Sequence, residues 1–162
     1  MRHTLVARVQ DEPGVLNRVA SLFRRRAFNI ESLTVGQSET KDYSRMTVVV
    51  DTARVPARLV EESLRKLVPV ADVRDVTDLP TVDRDLALIR VACAPAERAE
   101  VAQLADIFRG RIVDVAPDSV ILEVTGDGAK VDGLVELLRP RGILEMVRTG
   151  KVAMLRGVTP AA

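Results

Sequence analysis

The stretch LVARVQDEPGVLNRVASLFRRRAFNIESLTV (residues 5–35) changes its hydrophobic period twice. Over residues 2–9, Leu5, Ala7 and Val9 alternate with Thr4, Val6 and Arg8. That alternation predicts a strand with both faces partly covered. Over residues 13–25, Val15, Leu16, Val19, Leu22 and Phe23 recur at the spacing of one helix face. Over residues 28–35, Phe28, Ile30 and Leu33 restore the alternation. Strand, helix and strand in this order make a βαβ unit with a right-handed crossover.

Reading onward, QSETKDYSR (37–45) is polar and predicts a loop or hairpin connection, and the β-branched MTVVVD (46–51) predicts a strand. Residues 56–67 open with Pro56 and set Leu59, Val60, Leu64 and Leu67 on one helix face, and residues 69–77 form a strand through Val70, Val73 and Val76. After a short polar break at 78–82 the pattern repeats. Residues 85–93 predict a strand, 95–108 a helix with Val101, Leu104, Ala105 and Phe108 inward, 111–116 and 119–126 two strands, and 129–140 a helix ended by Pro140. ILEMVRTG and KVAMLRG close the chain as a strand pair broken at Thr149-Gly150. The expected class is α+β: two ferredoxin-like βαββαβ domains, 1–78 and 79–162, each an antiparallel sheet with helices on one face. Each half, roughly 80 residues, is marginal for an isolated core. The uncovered sheet face and edge strands of the first half call for a partner, and a homodimer is the economical one.

Bulk composition narrows the function. Of 162 residues, 47% are hydrophobic and 29% charged, which suits a compact fold. With 24 basic and 23 acidic side chains the net charge is +1, no electrostatic footprint for nucleic acid or an anionic membrane. The aromatics are Tyr43, Phe23, Phe28 and Phe108, too few for a base-stacking platform. No apolar run approaches the ~20 residues that a membrane-spanning helix needs. MRHTLVARVQ reads as a first strand rather than a signal peptide, and Cys93 is the only cysteine, so a cytoplasmic location is expected. His3 is the only histidine, which argues against a histidine triad and, with one cysteine, against a zinc site. No phosphate-binding glycine loop is present, and Gly126-Asp127-Gly128 lacks the downstream asparagine of a thiamine-diphosphate motif. It reads as a strand-to-helix turn with Asp127 as the helix cap.

One segment stands apart. The helix after Asp11-Glu12-Pro13-Gly14 begins with a proline and a glycine, a weak choice if stability were the only demand. A helix N-terminus offers unpaired N–H groups and partial positive charge, Pro13 wastes no donor at the first helical position, and Gly14 allows close approach to the backbone. Asp11 just outside suits a cation. The segment therefore has the inventory for the carboxylate and ammonium of a free amino acid. From spacing alone, an ordinary helix start with acidic residues set against the dipole is the favoured reading.

D-E-P-G-V-L with R-V-A-S-L-F resembles the signature of ACT domains, βαββαβ modules that bind amino acids at dimer interfaces. RRRAFNIESLTVG (24–36), SRMTVVVD (44–51), KLVPVADVRDVT (66–77), RDLALIRVAC (84–93), IFRGRIVDVAPDSVILEVTG (107–126) and RTGKVAMLRG (148–157) resemble the small regulatory subunit of acetolactate synthase. The resemblance covers nearly the whole chain. It implies a non-catalytic subunit that activates a large catalytic subunit and confers feedback inhibition by valine or another branched-chain amino acid. Thiamine diphosphate, magnesium and FAD would belong to the large subunit, with no cofactor on this chain. The family's effector positions fall on Asp11, Pro13, Gly14, Val15 and Leu16, and on Asn29 and Ile30 of the adjacent protomer. The Gly14 and Val15 amides would hold the carboxylate, Asp11 with Asn29 the ammonium, and Leu16 with Ile30 the side chain. Two positions depart from the pattern: Asp11 stands where Asn is frequent, and Ala27 where Gly is common. The alternative is a stand-alone ACT-domain amino-acid sensor with no enzyme partner.

Overall fold

The computed structural model describes residues 1–53 and 55–157. Compact contacts divide it into two units: Met1–Val82 with the segment from Lys151 on, and Asp83–Gly150. The first unit contains β1 (Arg2–Gln10), α1 (Val15–Arg26), β2 (Asn29–Gln37), β3 (Tyr43–Asp51), α2 (Ala57–Arg65) and β4 (Val70–Asp75). Its strands hydrogen-bond in the order β2-β3-β1-β4, all antiparallel. The two sequential strands β1 and β2 are thus separated by β3, the split βαβ arrangement expected. Leu5, Ala7 and Val9 of β1, Met46, Val48 and Val50 of β3 and Val73 of β4 form one face, buried against Val15, Val19, Leu22 and Phe23 of α1 and Val60 and Leu64 of α2.

The second unit repeats the plan. After β5 (Thr81–Ala92) come α3 (Arg98–Ile107), β6 (Arg111–Val115), β7 (Ser119–Gly126), α4 (Gly128–Leu138) and β8 (Ile143–Arg148), with strand order β6-β7-β5-β8. Its core joins Ala87, Ile89, Val91, Val120, Leu122 and Val124 to Val101 and Ala105 of α3 and Val131, Leu134 and Leu138 of α4. Asp127 caps α4, its carboxylate accepting from the Lys130 N–H at 2.8 Å. Arg148 clamps this unit: its guanidinium donates to Asp85 and to Asp132, both at 2.6 Å, with Asp85 buried.

Several expectations are redrawn. The predicted 37–45 loop shrinks to residues 38–42, because β2 and β3 pair out to Gln37–Ser44. Helix α1 starts at Val15 rather than 13, and Pro140 sits inside a short 3-10 turn (Arg139–Arg141) after α4 has ended. The closing strand β9 (Val152–Leu155) pairs with β5, the extra strand the sequence allowed, while its compact contacts group it with the first unit. Buried Ala153 and its neighbour Leu155 pack with Val6 and Val76, on the sheet face away from the helices. That face, expected to be uncovered, carries the chain's own terminal segment.

The two crossover helices end alike. At α1 the Ala27 N–H bonds the Arg24 carbonyl and the Phe28 N–H bonds the Phe23 carbonyl, a Schellman motif. Ala27 lies in the left-handed region at φ 53°, so the position that resembles a family glycine does need positive φ. The rings of Phe23 and Phe28 meet edge to face at 5.5 Å and supply the apolar contact of the motif. At α3 the Arg109 N–H bonds Asp106 and the Gly110 N–H bonds Ala105, with Arg109 at φ 50°. Gly110 therefore does not take the left-handed position that ends the helix. A Cβ on it would lie 2.7 Å from the Glu123 carbonyl oxygen of β7, so it is required by close backbone approach.

Candidate functional site

The segment Glu12-Pro13-Gly14-Val15 is a turn, not the first turn of α1. The Val15 N–H reaches back to the Glu12 carbonyl at 3.4 Å, Pro13 holds the second position, and Gly14 has φ 90° and ψ −6°. These are the marks of a type II turn, whose third residue demands positive φ. Gly14 is there for its backbone conformation. A Cβ would meet nothing within 4 Å, so the space in front of it is open. The first helical bond runs from the Arg18 N–H to the Gly14 carbonyl at 3.0 Å, and no side chain caps the helix. With the Val15 donor committed to the turn, the first-turn donors that face outward belong to Leu16 and Asn17.

The acidic residues are not capping groups either. Glu12 lies 3.9 Å from Arg18, while the exposed Asp11 carboxylate has no ion pair or side-chain hydrogen bond among the described residues. The Asp11 N–H is held by the Asp42 carbonyl at 2.8 Å, which fixes where its carboxylate emerges.

Beside this turn lies an open groove of ≈ 350 Å³, lined by Val9, Gln10, Asp11, Glu12, Pro13, Gly14, Val15, Leu16, Asn17, Val35 and Ser44. All five positions expected from the opening segment (Asp11, Pro13, Gly14, Val15 and Leu16) lie on it. Ser44 and Val35 were not legible as groove residues. They arrive through register, Val9 facing Ser44 across β1/β3 and Val35 facing Met46 across β2/β3. Apolar surface persists there, with Leu16 48%, Val35 37% and, one step along β2, Leu33 38% exposed.

Asn29 and Ile30 sit elsewhere in the same chain. They begin β2, paired with Asp51 and Val50, whereas Val35 lies near its other end. At about 3.3 Å per residue the separation is roughly 20 Å. Strand β2 is an edge of its sheet, open to further pairing.

The remaining polar clusters are structural. His3 Nδ1 lies 2.6 Å from Asp75, and the Thr77 hydroxyl donates to the other Asp75 oxygen at 2.5 Å, joining β1 to the end of β4. Burial pushes the Asp75 carboxyl up, but hydrogen bonds from Thr77 and His3 outweigh it and hold the group below its ordinary value. Among the described residues no group of three His, Cys, Asp or Glu side chains is placed to hold a metal, and no helix is long and apolar enough to cross a membrane.

Comparison with known proteins agrees along the whole chain. Residues 5–72 match the family model described as an AHAS small subunit-like ACT domain, and residues 84–157 match that of the small subunit of acetolactate synthase. A probable acetolactate synthase small subunit of Archaeoglobus fulgidus is 52% identical over 97% of this chain and 98% of its own. The acetolactate synthase small subunit of Aquifex aeolicus is 46% identical over 96% of this chain and 81% of its own. The crystal structure of an acetolactate synthase small subunit from Thermotoga maritima superposes with a TM-score of 0.88 at 40% identity, covering 98% of this chain and 99% of that one.

Proposed function

This chain belongs to the acetolactate synthase small-subunit family, and from that premise we propose that it activates a large catalytic subunit and makes it sensitive to valine. The observation that carries the effector reading is the start of α1. There an unpaired Asp11 carboxylate, outward first-turn amides and half-exposed Leu16 and Val35 converge on one open groove. The amides and the helix dipole suit an α-carboxylate, Asp11 an α-ammonium, and the apolar wall a short branched side chain. Because Val15 closes the turn, the Leu16 and Asn17 amides are better donors to the carboxylate than the Gly14 and Val15 pair. A difference of one methylene is worth only ~1–3 kcal/mol in such a site, so valine, leucine and isoleucine are separated weakly.

The groove is open on one side, and Asn29 with Ile30 fits there from a second copy. Antiparallel pairing of two β2 edges centred on Leu33 sets Asn29 of one copy opposite Gln37 of the other, and Ile30 opposite Gly36. That register brings both residues to the end of β2 where Val35 lines the groove. It also covers Leu33 and Val35. The first unit is thus the effector-binding and dimerising domain in this reading, and the second completes the subunit. Thiamine diphosphate, magnesium and FAD act on the large subunit, in the cytoplasm.

A regulatory subunit changes someone else's rate. Valine inhibits only if it binds more tightly to the chain in the less active assembly. The test is to add this protein to its large subunit and assay acetolactate formation with and without valine. Activation that valine reverses supports the proposal. Valine binding without any effect on the large subunit favours a stand-alone sensor instead.

A further inference from the structure

The groove wall formed by Ser44 and Val35 is backed from the opposite face of the sheet. Arg45 follows Ser44 and faces Arg8 on β1 and Gly36 on β2. Alternation turns its side chain away from Ser44 and from buried Met46, onto the face where β9 lies. Two arginines directly opposite on neighbouring strands repel each other. Each is given its own partner. Arg8 bonds Asp72 at 3.0 Å and lies 5.5 Å from the centre of the Tyr43 ring. Arg45 Nη2 donates to the Ala153 carbonyl at 3.1 Å, a contact spanning 108 residues of sequence. The same segment reaches β2 through the Lys151 N–H, 3.3 Å from the Ser32 hydroxyl. Its far end is fastened away from the groove: Arg156 donates from its N–H to the Pro80 carbonyl at 2.8 Å and from Nε to the Thr81 carbonyl at 3.1 Å.

We infer that Arg45, anchored on the Ala153 carbonyl of the closing strand, is a positioning residue that holds the Ser44–Val35 wall of the effector groove. No residue of β9 lines the groove. The closing strand acts through β3, to whose first residues Arg45 adds a tie beyond their backbone pairing with β1 and β2. Effector affinity therefore depends on a segment that never touches the effector. This inference rests on the groove being the effector site.

Three variants test it in the full chain: Arg45→Met, Arg45→Lys and Arg156→Met. The last removes a comparable side-chain bond to a carbonyl at the end of the segment remote from the groove. Two readouts are taken, calorimetric affinity for valine and amide hydrogen exchange along residues 43–46. The expected result is about tenfold weaker valine binding in Arg45→Met, within the usual range of coupling between linked sites. Faster exchange at 43–46 accompanies it, Arg45→Lys recovers part of both, and Arg156→Met matches wild type in both. Equal affinity and equal exchange in Arg45→Met and Arg156→Met would overturn the positioning role. Wild-type protein that binds no valine, with exchange still faster in Arg45→Met alone, contradicts the proposed effector and leaves the positioning role standing.

Discussion

The two repeats start their first helix in opposite ways. In the first, a type II turn with Gly14 at φ 90° delivers the chain into α1 with no side-chain cap and an unpaired carboxylate alongside. In the second, β5 runs into a short 3-10 turn (Pro95–Glu97), and Glu97 folds back to accept from the Ala94 N–H at 3.0 Å while its own N–H bonds the Ala94 carbonyl. The second start is closed by its own side chain. The first leaves donors and a carboxylate facing a groove. One fold, used twice, thus has one helix start closed by its own side chain and one left open.

The sharpest way to break this division is to damage the second unit. Replacing Arg148 by Met strands Asp85, a buried carboxylate with one oxygen already unpartnered, and costs about 3 kcal/mol of stability in that unit. Denaturation monitored by hydrogen exchange in β5 and β8 reads this loss. Valine affinity stays at the wild-type value. A parallel loss of affinity would mean that the second unit shares in effector binding.

Glycines separate the repeats next. Gly110→Ala drives a Cβ against the Glu123 carbonyl and costs about 1–3 kcal/mol, the range of an overpacked site. Gly14→Ala meets no neighbour and pays only for left-handed backbone, about 1–2 kcal/mol. Thermal melts of the two variants rank them in that order, and a reversal would contradict the close approach seen at β7.

Acid acts on the first unit through Asp75. Its carboxyl is held below the ordinary value, so its contribution is full above the unfolded-state pKa near 4 and is lost as pH falls through the folded-state value. Asp75→Asn lowers stability at neutral pH and flattens the acid limb of the first unit's stability curve. An unchanged acid limb would remove the His3–Asp75–Thr77 link between β1 and β4 from the account.

The smallest effect is shared by both repeats. Ala27→Gly and Arg109→Gly each relieve a left-handed residue and stabilise by about 0.5–1 kcal/mol after the added freedom of the unfolded chain is counted. A loss of stability in either would show that its side chain contributes more than its backbone strains.

Periodicity made the two βαββαβ patterns legible, because Leu5, Ala7 and Val9, and again Ala87, Ile89 and Val91, place one strand face in a core. Three features escaped it. The polar run 37–45 concealed the ends of β2 and β3, where pairing rather than hydrophobicity extends the strands. KVAMLRG does pair with β5 as an extra strand, but periodicity could not show that Ala153 also packs on Val6 and Val76 of the first unit. The sequence shows at Gly14 room for close approach to the backbone, but not the positive φ that its turn also requires. Asp11 through Leu16 were readable because the turn and helix start are local in sequence. Val35 and Ser44 were not, since only strand register brings them to the groove.

In the proposed function, the open helix start of the first repeat takes the amino acid. Valine titrated calorimetrically into wild type and into Gly14→Asp tests it most directly. Aspartate tolerates positive φ better than most residues, so the variant keeps its fold, verified by an unchanged circular-dichroism spectrum. Its carboxylate enters the open space before the α1 amides and opposes that of the effector, at a cost of several kcal/mol. Valine is expected to bind wild type and to lose roughly a hundredfold or more in affinity for the folded variant. Equal affinity in both would contradict it.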